Sequence, residues 1–312
     1  MTDKKIKLIV NPKSGGGSGK KVANYISEKY QKLFSEIVFT SGPREAIEIA
    51  KNSEEFDAVC FIGGDGTLNE VINGVMQIQE SKRPKVGIIP VGTGNDFIKT
   101  IQMSKNPDDA IRTIINMKTR KIDTAICEFL DFSGKPQKRY YINITEFGMG
   151  GEVANLVNKY GKIFKGTIPF LLFAIVCNFT FKNKNVRIKT DCEDKDLQDI
   201  EANIRAVAVA NGRFYGGGMQ IAPYAQPDDG LLDIVIVKDM NSIETLKNLP
   251  LLYKGEEGME KAKKTGKVLY FRAKKIEVFD SDNLMIEMEG EVPGHTPKYF
   301  EIIPKSIDFI VP

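Results

Sequence analysis

Apolar positions follow two different rhythms along the chain. Through about the first 120 residues, short strand-like runs at 7–10, 36–40, 58–62 and 86–89 alternate with helical spacing. That spacing predicts helices from the glycine-rich stretch after Val10 to about residue 30, then over 45–51, 68–75, 95–100 and 108–117. The last of these is announced by Asn106-Pro107 and by acidic residues in its first turn, where the helix dipole favours them. Runs such as 58–62 are apolar at every position, so both of their faces must be covered. Strands of that kind, separated by helices, make a parallel sheet flanked by helices.

Beyond about Arg120 the rhythm changes. Strand-like runs follow one another at 123–129, 139–145, 186–190, 204–210, 232–237, 268–272, 275–279 and 284–288, with few helical patterns between them. This predicts a mainly antiparallel β sandwich or barrel. The last run, 300–311, is again strand-like and is a candidate to return to the first domain. The reading is therefore an α/β N-terminal domain over 1–120 and a β-rich domain over 121–312. The longest apolar run, 168–181, contains Asn178 and falls short of the roughly 20 apolar residues of a membrane span. It reads first as a buried helix of the second domain. The competing reading is a helix beside a lipid-entry cleft, with Lys159, Lys162, Lys165, Lys182 and Lys184 meeting lipid headgroups.

Composition narrows the class. At 312 residues with 42% hydrophobic and 27% charged content, the chain can fill two cores. A net charge of +3 from 44 basic and 41 acidic residues argues against nucleic-acid binding, which concentrates basic charge, but permits contact with an anionic membrane surface. The four cysteines are scattered without a CxxC pair, which points to a reducing, cytoplasmic setting. No apolar signal segment opens the chain. The one histidine, His295, lies in Pro-Gly-His-Thr-Pro and reads as a surface turn.

Three polar glycine-rich segments follow strand-like runs. They are Asn11-Pro12-Lys13-Ser14-Gly15, Gly63-Gly64-Asp65-Gly66-Thr67-Leu68-Asn69-Glu70 and Pro90-Val91-Gly92-Thr93-Gly94-Asn95-Asp96-Phe97. In an open parallel sheet such loops gather at the carboxyl edge, where ligands bind. Glycine admits close backbone approach and a helix N-terminus attracts phosphate. An acidic residue in that setting suits Mg²⁺ beside phosphates. Ser14 to Lys21 resembles a Walker loop, but Ser14 replaces its first glycine and Lys21 its Ser/Thr. The dinucleotide fingerprint fails at Asn69, where a third glycine belongs. The loops thus imply a magnesium–nucleotide site of another kind.

Together with Gly216-Gly217-Gly218-Met219-Gln220-Ile221-Ala222-Pro223, Asp229-Gly230-Leu231-Leu232-Asp233 and Glu289-Gly290-Glu291, these segments resemble the diacylglycerol kinase catalytic-domain family, specifically its bacterial lipid kinases. The resemblance spans essentially the whole chain. The first two segments also resemble NAD kinases and sphingosine kinases. It implies an NAD-kinase/diacylglycerol-kinase-like fold, with ATP held by Thr40, Gly64, Asp65, Gly66, Thr67, Leu68, Asn69, Glu70 and Thr93, joined by Asn11 and Ser14. Asp65 and Asp96 would organise the catalytic Mg²⁺. Asp229, with the backbone carbonyls of Gln226 and Leu231, would hold a structural Mg²⁺. The family usually shows Asp-Gly-Glu where this chain has Glu289-Gly290-Glu291. Glu289 is then the expected general base, on an arm one methylene longer, with Glu291 supporting it.

The function implied is transfer of the γ-phosphate of ATP to a hydroxyl of diacylglycerol or a related lipid, in the cleft between the domains. The enzymatic alternatives are an NAD kinase and a sphingosine-type kinase. The non-enzymatic alternative is a nucleotide-binding regulatory protein. Expected partners are ATP and a lipid at the membrane surface, with peripheral membrane contact by a cytoplasmic protein. An exposed strand edge also leaves room for a homodimer.

Overall fold

The computed structural model describes residues 4–92, 94–160, 168–279 and 281–312. Thr93, Lys162 and Lys165 of the readings above lie outside them. The chain divides into two compact units, Met1–Asp123 with Lys305–Pro312, and Thr124–Pro304.

The first unit runs β1 (Ile6–Val10), α1 (Ser14–Lys29), β2 (Glu36–Phe39), α2 (Glu45–Lys51), β3 (Ala58–Gly63), α3 (Asp65–Val75), β4 (Lys85–Pro90), α4 (Asp96–Thr100) and α5 (Pro107–Asn116). The strands lie parallel in the order β2, β1, β3, β4, with Leu8 opposite both Ile37 and Cys60, and Cys60 opposite Gly87. Every residue of β3 is buried, as an all-apolar run demands. α5 begins as its sequence promised: the Asn106 side chain accepts from the N–H groups of Asp108 and Asp109, and Pro107 follows it.

The second unit contains β5 (Thr119–Leu130, entering from the first unit), β6 (Pro136–Tyr141), β7 (Ile144–Gly148), α6 (Met149–Tyr160), α7 (Ile168–Thr180), β8 (Lys184–Thr190), β9 (Asp199–Ala210), β10 (Leu232–Lys238), α8 (Ser242–Asn248), α9 (Gly255–Lys263), β11 (Val268–Ala273), β12 (Lys275–Phe279), β13 (Met285–Met288) and β14 (Glu291–Ile310). β7, β9, β8, β12, β14 and β13 pair antiparallel in a closed ring, and β10 and β11 extend from β9. The ring is a barrel filled by apolar side chains, among them Phe147 stacked on Phe300 with centroids 5.9 Å apart. Past Lys305 β14 belongs to the first unit, where Phe309 lies parallel opposite Val86.

Four expectations are corrected. The run 139–145 is two strands, because the chain turns at Ile142 and Asn143 to aim both amides at one carboxylate. The β-rich unit also carries α6, α8 and α9, helices that the sequence reading did not place. α7 is a helix but not a buried one: Leu172, Ile175, Val176 and Phe179 are exposed, the last at 61%. His295 lies in β14 rather than in a surface turn. Its ring tilts against Phe132, and neighbouring Thr296 is left-handed at φ 56°.

Candidate functional site

β1, β3 and β4 end at Val10, Gly63 and Pro90, so the three glycine-rich loops leave adjacent parallel strands at one edge of the sheet. They are in close contact. A Cβ on Gly64 would come within 2.8 Å of Gly92 Cα, and one on Gly92 within 2.5 Å of Gly64 Cα. Only glycine at both positions lets the second and third loops touch backbone to backbone. The first loop is tied in by Asn11, whose Nδ2 donates to Thr67 Oγ1 at 3.0 Å while its Oδ1 accepts from Lys13 N at 3.1 Å. Ser14 N donates to Asn11 O at 3.2 Å. Gly15, Gly16 and Gly17 are all left-handed, so regular helical geometry in α1 starts only after them, and nothing lies within 4 Å of where a Cβ on Gly16 or Gly17 would sit. That stretch is open backbone beside the loop edge.

Asp65 opens α3, whose N-terminus no side chain caps. A helix N-terminus of this kind leaves its first N–H groups without intrahelical acceptors, the property that suits an anion. Asp65 Oδ1 accepts from the backbone N–H of Asp96 at 2.9 Å and of Phe97 at 3.4 Å. This places the carboxylates of Asp65 and Asp96 side by side. The Oδ2 atoms of the two lie 3.1 and 3.5 Å from the point where a Cβ on Gly94 would sit, so glycine keeps open a cradle that both oxygens border. Burial and then the neighbouring Asp96 charge raise the Asp65 pKa above the usual carboxylate value. Lys99 Nζ donates to Asp96 Oδ1 at 2.5 Å and offsets part of that charge. Sequence reading did not anticipate Lys99 here, although its position three residues into the same helix is a signal that could have found it. It also missed Asn95. That residue is 2% exposed, is left-handed at φ 48°, and has its Oδ1 buried without a hydrogen-bond partner.

The remaining residues of the expected nucleotide set divide by role. Thr67, Leu68 and Asn69 are buried in α3, and Asn69 accepts from Asn73 Nδ2 through both its backbone and its side-chain oxygen. Thr40, just past β2, donates to Val10 O at 3.3 Å and lies at the same sheet edge. Glu70 turns away to α2: Oε1 accepts from Arg44 N at 2.9 Å and Oε2 from Ala46 N at 3.2 Å. It caps a helix that has no side-chain cap of its own at residue 44. Glu70→Ala is expected to destabilise the protein by about 1–2 kcal/mol, the scale of a lost cap. Urea unfolding checks this, and an unchanged midpoint would show that the cap is dispensable.

In the second unit, Glu289 and Gly290 form the two-residue turn between β13 and β14, both left-handed (φ 52° and 90°), as tight hairpins require. The Glu289 side chain is buried. Its Oε1 accepts from Ile142 N at 2.8 Å and Asn143 N at 2.6 Å. Glu291 Oε2 accepts from Arg139 Nη2 at 2.6 Å. Asp229 lies in the turn before β10 with Gln226 and Leu231. Its Oδ1 accepts from Leu231 N at 3.1 Å and its Oδ2 pairs with Arg272. The guanidinium thus already supplies positive charge to this carboxylate. Among the described residues no group of three or more His, Cys, Asp or Glu side chains gathers as a metal cluster.

Glu146, on β7, was not singled out from sequence. It is buried, accepts from Gly150 N at 3.1 Å at the start of α6, and is raised by burial to about 7. A carboxyl whose folded pKa exceeds its unfolded one binds its proton more tightly in the native state. Its ionisation therefore lowers stability as pH rises from about 4.5 through about 7. Glu146→Gln keeps an acceptor for Gly150. It is expected to match the wild type near pH 4 and to exceed it at pH 8 by up to about 3 kcal/mol in urea unfolding. Equal stability of the two proteins at pH 8 would refute this.

The family described as the diacylglycerol kinase catalytic domain matches residues 5–127, and the YegS C-terminal NAD kinase beta sandwich-like domain matches residues 143–311. A diacylglycerol kinase of Staphylococcus carnosus (strain TM300) is 28% identical over 313 residues, covering 99% of this chain and 95% of its own. The solved structure of a diacylglycerol kinase from Bacillus anthracis str. Sterne superposes with a TM-score of 0.70 at 22% identity, covering 100% of this chain and 98% of that one. Yeast NADH kinase, solved in complex with NADH, gives 0.52 at 11% identity over 99% of this chain and 83% of its own, a likeness of fold alone. The chain belongs to the family that joins a diacylglycerol kinase catalytic domain to a YegS-type, NAD-kinase-like β domain.

Proposed function

We propose that this protein is an ATP-dependent lipid kinase that transfers the γ-phosphate of ATP to a hydroxyl of diacylglycerol or a closely related lipid. The observation that carries the reading is the meeting of three glycine loops at Gly64 and Gly92, with Asp65 and Asp96 bordering one cradle beside an uncapped helix N-terminus. Backbone N–H groups at a helix N-terminus suit phosphate, and paired carboxylates suit the cation that accompanies it. Asp65 and Asp96 fit Mg²⁺, which when bound would neutralise phosphate charge as transfer proceeds. Asn11 and Thr67 hold the first loop against the second. Glu289 is the proposed general base for the lipid hydroxyl and Glu291, fixed by Arg139, its support.

The turn at Gln226, Asp229 and Leu231 is proposed as a second, structural Mg²⁺ site, which a cation would enter by displacing Arg272 from Asp229. Among the described residues no helix is long and apolar enough to cross a membrane. We place the protein in the cytoplasm, reaching its lipid by peripheral contact. A homodimer would pair through β2, an edge strand of the first-unit sheet.

The test offers ATP with diacylglycerol, phosphatidylglycerol, a sphingoid base, a polyprenol and NAD in separate mixed-micelle or aqueous reactions, and identifies products by mass spectrometry. Phosphorylated diacylglycerol is the expected product. Phosphorylation of NAD alone would establish the NAD-kinase alternative, and nucleotide binding without any phosphorylated acceptor would establish the regulatory one.

A further inference from the structure

β6 ends at Tyr141 and β7 begins at Ile144, and the residues across that turn carry a concentration of unpaired polar atoms. Tyr141 Oη, Asn143 Oδ1 and Thr145 Oγ1 are buried without a hydrogen-bond partner, on residues that are 0%, 4% and 0% exposed. Buried polar atoms are almost always hydrogen-bonded, so each exception calls for a partner from elsewhere. These three flank the amides of Ile142 and Asn143, which hold Glu289.

The two hydroxyls can rotate to suit whatever reaches them, but the amide of Asn143 is fixed. Its Nδ2 donates to Phe214 O at 3.0 Å, so the nitrogen faces that carbonyl and Oδ1 faces the other way. The backbone of the residue is already committed. Asn143 N donates to Glu289 Oε1 at 2.6 Å, and Asn143 O accepts from Asn211 N at 2.8 Å and Gly212 N at 3.0 Å. What is left over is one fixed acceptor, on the residue whose amide the proposed base holds. Phe214 is half-buried, and exposed Gly216 and Gly217 follow it, so the loop that fixes this amide reaches solvent within three residues.

An amide oxygen accepts and cannot donate, so its partner is an O–H or N–H group. We propose that Asn143 is an acceptor-binding residue that selects head groups carrying a second hydrogen-bond donor, on the carbon next to the hydroxyl that is phosphorylated. The inference rests on the lipid-kinase reading and deepens it. Base and acceptor belong to hydrogen-bonded neighbours, so the two groups they serve lie close together on the ligand. The reacting O–H gives its proton to Glu289 while its oxygen bonds the γ-phosphorus and ADP leaves. The neighbouring donor keeps its proton and gives Asn143 Oδ1 its missing hydrogen bond. Diacylglycerol has one O–H, which Glu289 claims, and its ester oxygens only accept. It therefore leaves Asn143 Oδ1 unpaired and ranks below a vicinal diol or amino alcohol. A site built to bond a hydroxyl discriminates against an analogue without it, because the site's own buried group is then left unpaired.

The test uses octadecan-1-ol derivatives that share one chain and one primary hydroxyl and carry a hydroxyl, an amino or a methoxy group on the adjoining carbon. In mixed micelles with the wild type, kcat/KM for the diol is expected to exceed that for the methoxy ether about 10- to 100-fold, the cost of one unpaired buried acceptor. A preference for the amino alcohol over the ether supports the same acceptor with N–H as its donor. Asn143→Leu and Asn143→Ala both remove Oδ1 and are expected to bring the ratio to about one. Each ratio is taken on a single protein, so a loss of folded enzyme cancels, and either variant suffices. A binding arm needs no activity. In protein labelled with carbon-13 at the asparagine side-chain carbonyls, the Asn143 resonance is assigned by its loss in Asn143→Leu. It is expected to shift with the short-chain octane diol and not with the matching methoxy ether. Equal turnover of the ether and both donor-bearing acceptors by the wild type would overturn the proposal. So would a carbonyl that responds alike to the diol and the ether, or variants that keep the wild-type ratio. A carbonyl that shifts with the diol alone, in a protein that phosphorylates no acceptor, would instead overturn the kinase reading and leave the donor-binding site standing.

Discussion

Asp65→Asn is expected to lower kcat for lipid phosphorylation by about 10³-fold, the scale of losing one preorganised charge-stabilising group. The variant isolates charge from architecture. Asparagine keeps an oxygen for the amides of Asp96 and Phe97, which bond Asp65 Oδ1 and hold the third loop against the second. It removes the carboxylate that burial and Asp96 make costly to ionise, so stability should hold or rise slightly above neutral pH. The measurement is kcat at saturating ATP and Mg²⁺, with a thermal melt alongside. Activity within tenfold of the wild type, in a protein that melts normally, would remove Asp65 from the proposed cation site. Asp96→Asn makes a weaker test, because it also alters the ion pair that Asp96 makes with Lys99.

The second large effect concerns Glu289, where structure and chemistry must be separated. Its Oε1 holds two buried amides of the β6–β7 turn. Glu289→Ala leaves both without their acceptor and is expected to destabilise the protein by about 3 kcal/mol, each orphaned donor contributing of the order of 1–3 kcal/mol. Glu289→Gln retains an amide oxygen for the same N–H groups. It should unfold near the wild-type midpoint while losing about 10² to 10⁴ in kcat, the range for a missing general base. A glutamine variant that is both stable and fully active would reduce Glu289 to a pin for the turn and move the search for the base elsewhere. In this chain the Glu289 side chain reaches both the Ile142 and the Asn143 amide.

The glycine loops show how far a sequence reaches. Their positions after apolar strands implied that Asn11, Gly64 and Pro90 would emerge at one sheet edge, and they do, since parallel strands carry their carboxyl ends to the same side. Nothing in the sequence said that Gly64 and Gly92 would meet backbone to backbone, because the contact depends on strand register. Glu70 shows the opposite limit. It stands within a nucleotide-loop motif, yet its carboxylate bonds the start of α2, 24 to 26 residues away in the chain. The helix at 168–180 was legible as a helix from its apolar run, but exposure is a property of neighbours, and those neighbours leave one stripe uncovered.

By itself, then, the sequence determined the alternation of parallel strands and helices followed by antiparallel strands, and it carried the glycine and acidic residue types of a magnesium–phosphate loop. These are local matters, set by side-chain periodicity and by the backbone freedom of glycine. Only the tertiary structure decided which loops touch, which carboxylates pair, and which cap a helix or pin a turn. It alone closed six strands into a barrel and buried the Asn143 side chain beside the carboxylate of Glu289. The physical reason is range. Hydrogen bonds and packing that join residues tens or hundreds of positions apart, such as Glu289 to Asn143, are fixed by strand register and burial, and neither is written in any one segment.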